Sequence, residues 1–315
     1  MLSELEQKGL IQRDHLLADY SSWKVGGLAD FFSAPKSLEE LKEVLHCAQN
    51  EKWPVTIFSG GSNVLFSDQG IRGLAIGMSS LNGTEAREEN GRLHLVSWAG
   101  SSKGELLKHF LKYELDPALF LAGLPGDVGG GVVMNAGVGG HQRPPREFCE
   151  IVDWVEVLRW EKSLKDFEIH RLTSDQLSWS YRHCLGWQPG VMTRVGVSWP
   201  LEPNPQIKQE VRDLMRRRLQ TQPLDRPNCG SVFRNPEGDK AGRLIEACEL
   251  KGFQFGDAQV SPKHANFIVN LGKAQAQDIR AVIEFVQKKV KAEKGVSLQT
   301  EVVYLGEWES PKESI

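Results

Sequence analysis

The sequence predicts an α+β protein built from more than one domain, and three observations carry that expectation. The chain has 315 residues, more than a single hydrophobic core usually organises. Helical and strand patterns both occur along its length. A stretch containing Pro200, Pro203 and Pro205 interrupts those patterns and reads as a linker between domains. The composition, 40% hydrophobic and 25% charged, is that of an ordinary globular protein.

The elements follow in order. Ser37 and Glu40 form a capping box, and Leu38, Leu41, Leu45 and Ala48 then recur at helical spacing to about residue 52. Pro54 opens a short apolar run at 55–58, a buried strand that leads directly into glycines. Strands are expected at 74–77 and 93–98, on either side of a polar turn at 82–91. Helical spacing returns over 102–113, with Leu106, Leu107, Phe110 and Leu111 on one face, and stops before a turn at Asp116 and Pro117. Residues 151–160 and 191–201 have strand composition. Beyond the linker the pattern predicts a basic helix over 205–220, a turn and strand over 229–234, a helix over 240–250 and a strand over 265–270. An amphipathic helix follows, with Ile279, Val282, Ile283, Val286 and Val290 at i, i+3, i+4, i+7 and i+11, and Gly295 stops it. A strand over 298–305 closes the series.

Two glycine-rich stretches carry most of the functional information. The first is Ser59, Gly60, Gly61, Ser62 and Asn63; the second contains Gly123, Pro125, Gly126, Gly129 and Gly130 and runs on to Asn135, Ala136 and Gly137. Glycine admits positive φ and lets consecutive N–H groups face one anion. Two such loops point to a polyphosphate held against main chain, and the candidate ligand is a dinucleotide. Neither loop is a Walker motif, because Val64-Leu65-Phe66 and Val132-Val133 stand where a Lys and a Ser or Thr are needed. The Gly126-x-x-Gly129 spacing has apolar residues on both sides and no helix-start signal after it, so it is not a Rossmann fingerprint either.

A net charge of -3 gives no reason to expect a nucleic-acid or membrane partner. Cys47, Cys149, Cys184, Cys229 and Cys248 are widely spread and form no CxxC, a pattern of reduced thiols in a cytoplasmic protein. No apolar run approaches about 18 residues, and the first residues are charged, so neither a membrane span nor a signal peptide is expected. The eight histidines form no HxH or HExxH, and no metal site is expected.

Several side chains invite chemistry, each with an ordinary alternative. Arg182, between Tyr181 and His183, is either functional or a surface arginine stacked on Tyr181 or Trp179. Ser231 follows Gly230 at the start of an apolar run, where a tight turn alone would also explain the glycine. Glu301 interrupts a C-terminal strand, as do many acids on solvated faces. Cys229 beside that glycine is a possible nucleophile, although no histidine base is placed for it. Arg212, Arg216, Arg217, Arg218 and Arg226 form either a solvated face or a second phosphate site, with Arg218 best placed to reach a cleft.

Taken together, the motifs resemble those of the UDP-N-acetylenolpyruvoylglucosamine reductases (MurB). They run in unbroken order from about residue 21 to 306: 22–27, 59–63, 123–137, 180–182, 229–236, 241–246, 250–252, then Thr300 and Glu301. The resemblance implies a flavoenzyme with non-covalent FAD between two subdomains of the vanillyl-alcohol-oxidase-like (PCMH) type, followed by a C-terminal α/β substrate domain. On this reading 1–78 is the first subdomain, joined by the C-terminal strand region 298–315, 79–203 is the second, and 204–297 binds substrate. The pyrophosphate would lie on 59–63 and the isoalloxazine near 123–137.

The implied reaction is NADPH-dependent reduction of UDP-N-acetylglucosamine enolpyruvate to UDP-N-acetylmuramate for peptidoglycan. Arg182, Ser231 and Glu301 correspond to the catalytic residues of the family, and Tyr181, Arg218, Gln222 and Asn235 to substrate contacts. A fixed arginine suits a developing enolate, and a positioned hydroxyl suits its protonation. The chain departs from the pattern where 138–145 replaces the Ala-Tyr-Gly-Gly turn of many relatives, and where Gln222 replaces a lysine of some. It lacks the tyrosine-bearing insertion of one subgroup and matches the shorter subgroup better. Two alternatives are an oxidase of the same fold, which would usually carry a His or Cys near the first glycine loop, and a binding protein that has lost turnover.

Overall fold

The computed structural model describes residues 1–138, 143–159 and 167–308. The N-terminal part contains a four-stranded sheet in the order Gln12–Leu16, Leu28–Ser33, Ile71–Gly77, Val55–Phe58. The last three strands are parallel, so the chain must cross over between them, and the helix Leu38–Glu51 makes one of those crossings. It buries Leu41, Val44, Leu45 and Ala48 in a cluster with Leu74 and Ile76 of the sheet. Ser37 caps it by accepting the N–H of Glu40, while the Glu40 carboxylate takes the N–H of Lys36 instead of closing the expected reciprocal box. The Val55–Phe58 strand then delivers the first glycine loop to its position.

The second sheet is antiparallel and five-stranded: Thr84–Glu89, Arg92–Trp98, Val191–Pro200, Val152–Arg159, Glu168–Thr173. Its central strand, Val191–Pro200, places Val195 opposite Ser97 on one side and Val155 on the other. The helices Lys103–Lys112, Pro117–Leu121 and Val128–Val133 share a core with this sheet. Three expectations need correction here. The polar stretch 82–91 contains the edge strand Thr84–Glu89, exposed nearly throughout, so hydrophobic alternation had nothing to report. Asp116 and Pro117 open a helix, and proline suits its first position. The second glycine loop also contains a helix start: Val128–Val133 is helical despite three glycines, each costing about 1 kcal/mol in helix propensity. Tertiary packing overrides that propensity, because a Cβ on Gly129 would lie 2.8 Å from Ala99 Cβ and one on Gly131 2.5 Å from the Phe148 ring.

After residue 200 the chain forms the helix Ile207–Thr221, a three-stranded sheet (Gln254–Phe255, Ala258–Val260, Ile268–Asn270) and the helix Ala276–Lys294. The last of these buries Ile279, Val282, Ile283, Val286 and Val290 and ends at Gly295 with φ of 71°. Asp68, from the N-terminal part, holds the start of that helix by accepting the N–H groups of Ala276 and Gln277. Segment 229–234 forms a single bridge, Phe233 with Thr300, instead of the expected strand. The helix expected over 240–250 is limited to Ala241–Glu246, and the strand expected over 298–305 to Val303–Leu305. That short strand pairs in parallel with Val64–Phe66, immediately after the first glycine loop. Residue 160 and the altered turn at 139–142 lie outside the described residues. Among the described residues no helix is long and apolar enough to cross a membrane.

Candidate active site

A cavity of about 1290 Å³ lies between the two glycine loops and the C-terminal part of the chain. Pockets for one drug-sized ligand hold roughly 300–1,000 Å³, so this one has room for a dinucleotide and a second ligand together. Ser59, Gly60, Gly61, Ser62 and Asn63 all line it. The N–H groups of Gly60, Gly61 and Ser62 have no acceptor among the described residues, as an anion-binding loop requires. Gly61 has φ of 57°, and a Cβ there would fall 1.7 Å from the Tyr20 carbonyl oxygen. A Cβ on Gly60 would come within 3.0 Å of Gly126 Cα, so the absence of side chains lets the two loops meet. Asn63 ties the first loop to the C-terminal segment by donating from Nδ2 to the Glu301 carbonyl at 2.8 Å.

From the second loop Gly123, Pro125, Gly129, Gly130, Ala136 and Gly137 line the cavity. Asn135 does not. It is buried and makes bonds inside the wall, donating to the Ser180 carbonyl at 3.1 Å and to Glu147 at 3.0 Å, and accepting the N–H of Cys149. Gly126, with φ of 84°, lies where the two loops touch, its missing Cβ 2.4 Å from Ser62 Oγ. Beside that contact is a polar cluster the motifs did not reveal. The Asp127 carboxylate accepts from Ser59 Oγ and Ser79 Oγ, both at 2.6 Å, and the buried Lys103 donates to the Pro125 carbonyl. Burial lowers the Lys103 pKa to about 8, against the pull of Asp127. Lys103 follows a helix cap in a polar stretch, where an exposed lysine is the ordinary reading, so its position in the chain carried no signal.

Arg182 occupies the second residue of the tight turn between Ser178–Ser180 and His183–Leu185. Its φ of 58° is unfavourable for a residue with a side chain, by about 1–2 kcal/mol. Four contacts hold its guanidinium. Nη2 donates to the Gly137 carbonyl at 2.8 Å, Nη1 to Glu147 at 3.4 Å, and Nε lies 3.5 Å from the Glu301 carboxylate. The guanidinium carbon also stands 4.7 Å from the centre of the Tyr181 ring. The stacking alternative is therefore present, but together with two carboxylates, of which Glu301 lines the cavity and Glu147 does not. Glu301 is mostly buried, and burial raises its pKa, while Arg182 and Arg234 oppose the rise. The Glu301 N–H donates to the Val232 carbonyl at 2.8 Å, which sets Ser231 beside it on the cavity wall. Arg182, Ser231 and Glu301 thus come together from three distant segments.

Burial pushes the Cys229 thiol far above its ordinary range, with Glu301 adding to the rise, so it is not poised as a thiolate nucleophile. Of the basic cluster, Arg217, Arg218 and Arg226 reach the cavity, whereas Arg212 and Arg216 bond to Gln209 and Asp213 on their own helix face. Arg218 donates to the Gln222 side chain at 3.0 Å and to the Ala122 carbonyl at 3.3 Å. Tyr181, Gln222 and Asn235 also line the cavity, with Asn235 accepting the N–H of Ala241 at 3.1 Å.

The fold and cavity define an FAD-binding protein, and residues 29–164 match the FAD binding domain model. Residues 222–305 match the UDP-N-acetylenolpyruvoylglucosamine reductase C-terminal domain. A protein of that reductase name from Synechococcus sp. (strain WH7803) is 38% identical over 98% of this chain and 97% of its own. Another, from Caldanaerobacter subterraneus subsp. tengcongensis, is 35% identical over 97% of each chain. The crystal structure of the reductase from Thermus caldophilus aligns with a TM-score of 0.70 at 30% identity, covering 92% of this chain and 97% of that one. The chain belongs to the UDP-N-acetylenolpyruvoylglucosamine reductase family.

Proposed function

We propose that this protein reduces UDP-N-acetylglucosamine enolpyruvate to UDP-N-acetylmuramate with NADPH, as a cytoplasmic step of peptidoglycan precursor synthesis. The observation that carries the reading is the convergence of Arg182, Ser231 and Glu301 on one cavity with both glycine loops. FAD fits the residues present, since the unpaired N–H groups at 60–62 suit a pyrophosphate and the bare glycine surfaces leave space for it. When bound, FAD carries hydride from the nicotinamide to the enolpyruvyl group. On this reading 59–63 holds the pyrophosphate and 123–137 borders the flavin ring. Regions 1–78 and 79–203 form the FAD-binding part, joined by the C-terminal strand region, and 204–297 holds the substrate.

The remaining chemistry belongs to side chains. Negative charge develops beside the substrate carboxylate as the double bond is reduced, and Arg182 offers a fixed, water-poor cation for it. Ser231 delivers the proton to the carbon from its hydroxyl. Glu301, whose protonated form burial favours, donates a hydrogen bond to the substrate carboxylate next to Arg182. Tyr181, Arg218, Gln222 and Asn235 orient the nucleotide part.

Stopped-flow absorbance tests the reading by separating its two halves. The purified protein should be yellow and should bleach with NADPH. Colour should return rapidly with the enolpyruvyl nucleotide and only slowly with oxygen. Ser231→Ala should bleach normally but regain colour more slowly by about 10²–10⁴-fold, the range for a lost general acid. Return of colour with oxygen alone would favour an oxidase of the same fold.

A further inference from the structure

Arg182 is held by a carboxylate that does not line the cavity. Glu147 Oε1 lies 3.4 Å from Nη1 of the guanidinium, and its other oxygen accepts from Asn135 Nδ2 at 3.0 Å. The backbone around it is tightly constrained. Gly137 and Glu147 form an isolated antiparallel bridge, Phe148 N–H donates to the Ala136 carbonyl at 3.1 Å, and a Cβ on Gly137 would be 2.7 Å from Glu147 Cγ. Asn135 adopts a positive φ of 35° and donates to the Ser180 carbonyl, two residues before Arg182. Glu147 therefore bonds both the arginine and the asparagine that anchors the arginine's own hairpin.

Charge makes this arrangement consequential. Arg182 contacts two carboxylates, Glu301 in the cavity lining and Glu147 outside it. A substrate carboxylate arriving at the same cation would meet two carboxylates already beside it, with Arg234 near Glu301 as the other positive charge. The two acids differ in surroundings: Glu301 is mostly buried, which raises its pKa against the pull of Arg182 and Arg234, whereas Glu147 is more exposed.

We infer that Glu147 is a positioning residue for the proposed reduction: as a counter-ion of Arg182 outside the cavity lining, it holds the guanidinium toward the substrate carboxylate on the side where Glu301 lines the cavity. The inference rests on the function proposed above. Its role is exerted through Arg182, so the two side chains should not act independently.

The test uses the flavin-loaded protein and both half-reactions. Glu147→Ala should slow reoxidation by the enolpyruvyl nucleotide roughly 10- to 150-fold, the value of one charge-assisted hydrogen bond. Bleaching by NADPH and FAD affinity, followed by flavin fluorescence, should stay within about two-fold, the tolerance of independent sites. Glu147→Gln, which keeps an acceptor for Nη1, should recover part of the lost rate. The double variant Glu147→Ala with Arg182→Ala should reoxidise no more slowly than Arg182→Ala alone. Multiplicative slowing in the double variant, a wild-type rate in Glu147→Ala, or loss of FAD affinity in both Glu147 variants would each overturn the inference. Failure of the wild-type protein to reoxidise with the enolpyruvyl nucleotide would instead overturn the proposed function.

Discussion

The two walls of the cavity are built differently. The wall formed by 59–63 and 123–131 presents mostly main chain, with Gly60, Gly61, Gly129 and Gly130 at its surface, whereas the wall formed after residue 216 presents Arg217, Arg218, Arg226, Lys240, Lys251 and Lys263. Backbone amides supply donors at fixed positions and cannot be re-aimed, so that wall depends on glycine geometry. Long cationic side chains supply charge at adjustable positions, and several already bond protein groups, as Lys251 does with Glu246 and Lys263 with the Leu219 carbonyl. The contrast suits a resident cofactor on one side and exchanging ligands on the other. Substitution in the first wall should therefore affect folding and FAD retention, and substitution in the second should affect substrate affinity.

The largest effect is expected at Gly61. Alanine there would need an unfavourable φ and would drive its Cβ into the Tyr20 carbonyl, costing roughly 3 kcal/mol or more when strain and overpacking act together. Denaturant titration should find Gly61→Ala strongly destabilised and isolated without flavin. Gly130→Ala sharpens the comparison, because its Cβ would meet no protein atom within 4 Å. That variant should be about as stable as the wild type or slightly more so, yet bind FAD more weakly. Equal FAD affinity would place the ligand elsewhere.

Arg218 sits where the walls touch, its Nη1 3.4 Å from the Cβ position of Gly123. Arg218→Ala should raise the substrate KM about 10- to 150-fold, one charge-assisted contact, with bleaching by NADPH little changed. Arg218→Lys should restore little of the loss, since the bonds to Gln222 and Ala122 use the planar fork. An unchanged KM in Arg218→Ala would leave it only a structural tie between the walls.

A pH-dependent effect is expected at Lys103, the one cation buried in the main-chain wall among the described residues. Its folded-state pKa is lowered to about 8 from 10.5 by burial, so the unfolded chain holds its proton more tightly. Keeping it charged destabilises the flavin-free fold by on the order of 3 kcal/mol below pH 8, a penalty that fades as pH rises toward 10.5. Lys103→Met removes the titration. The stability of this variant relative to the wild type should fall across pH 8 to 10.5, measured by thermal unfolding at matched pH. A difference independent of pH would mean that Lys103 is not buried as a charge.

Local periodicity was legible wherever one face of an element met a core. The helices Leu38–Glu51, Lys103–Lys112 and Ala276–Lys294 follow their apolar spacing closely. The strands Val55–Phe58 and Val191–Pro200 follow their apolar runs. The exposed edge strand Thr84–Glu89 was silent because its ladder is made by main chain, with polar side chains on both faces. The glycine-rich first turn of Val128–Val133 was silent because contacts with Ala99 and Phe148, distant in sequence, select it.

By itself the sequence determined the residue types a dinucleotide site needs, the two glycine loops, and the ordered motifs that include Arg182, Ser231 and Glu301. Only the tertiary structure decided how they meet. It brought the Glu301 backbone against Val232 and its carboxylate against Arg182, turned Asn135 inward, left Glu147 outside the cavity lining and buried Lys103 in the cavity wall. The physical reason is that backbone conformation and apolar spacing are written locally, whereas the burial and pairing of a charge depend on segments more than a hundred residues apart, such as Arg182 and Glu301.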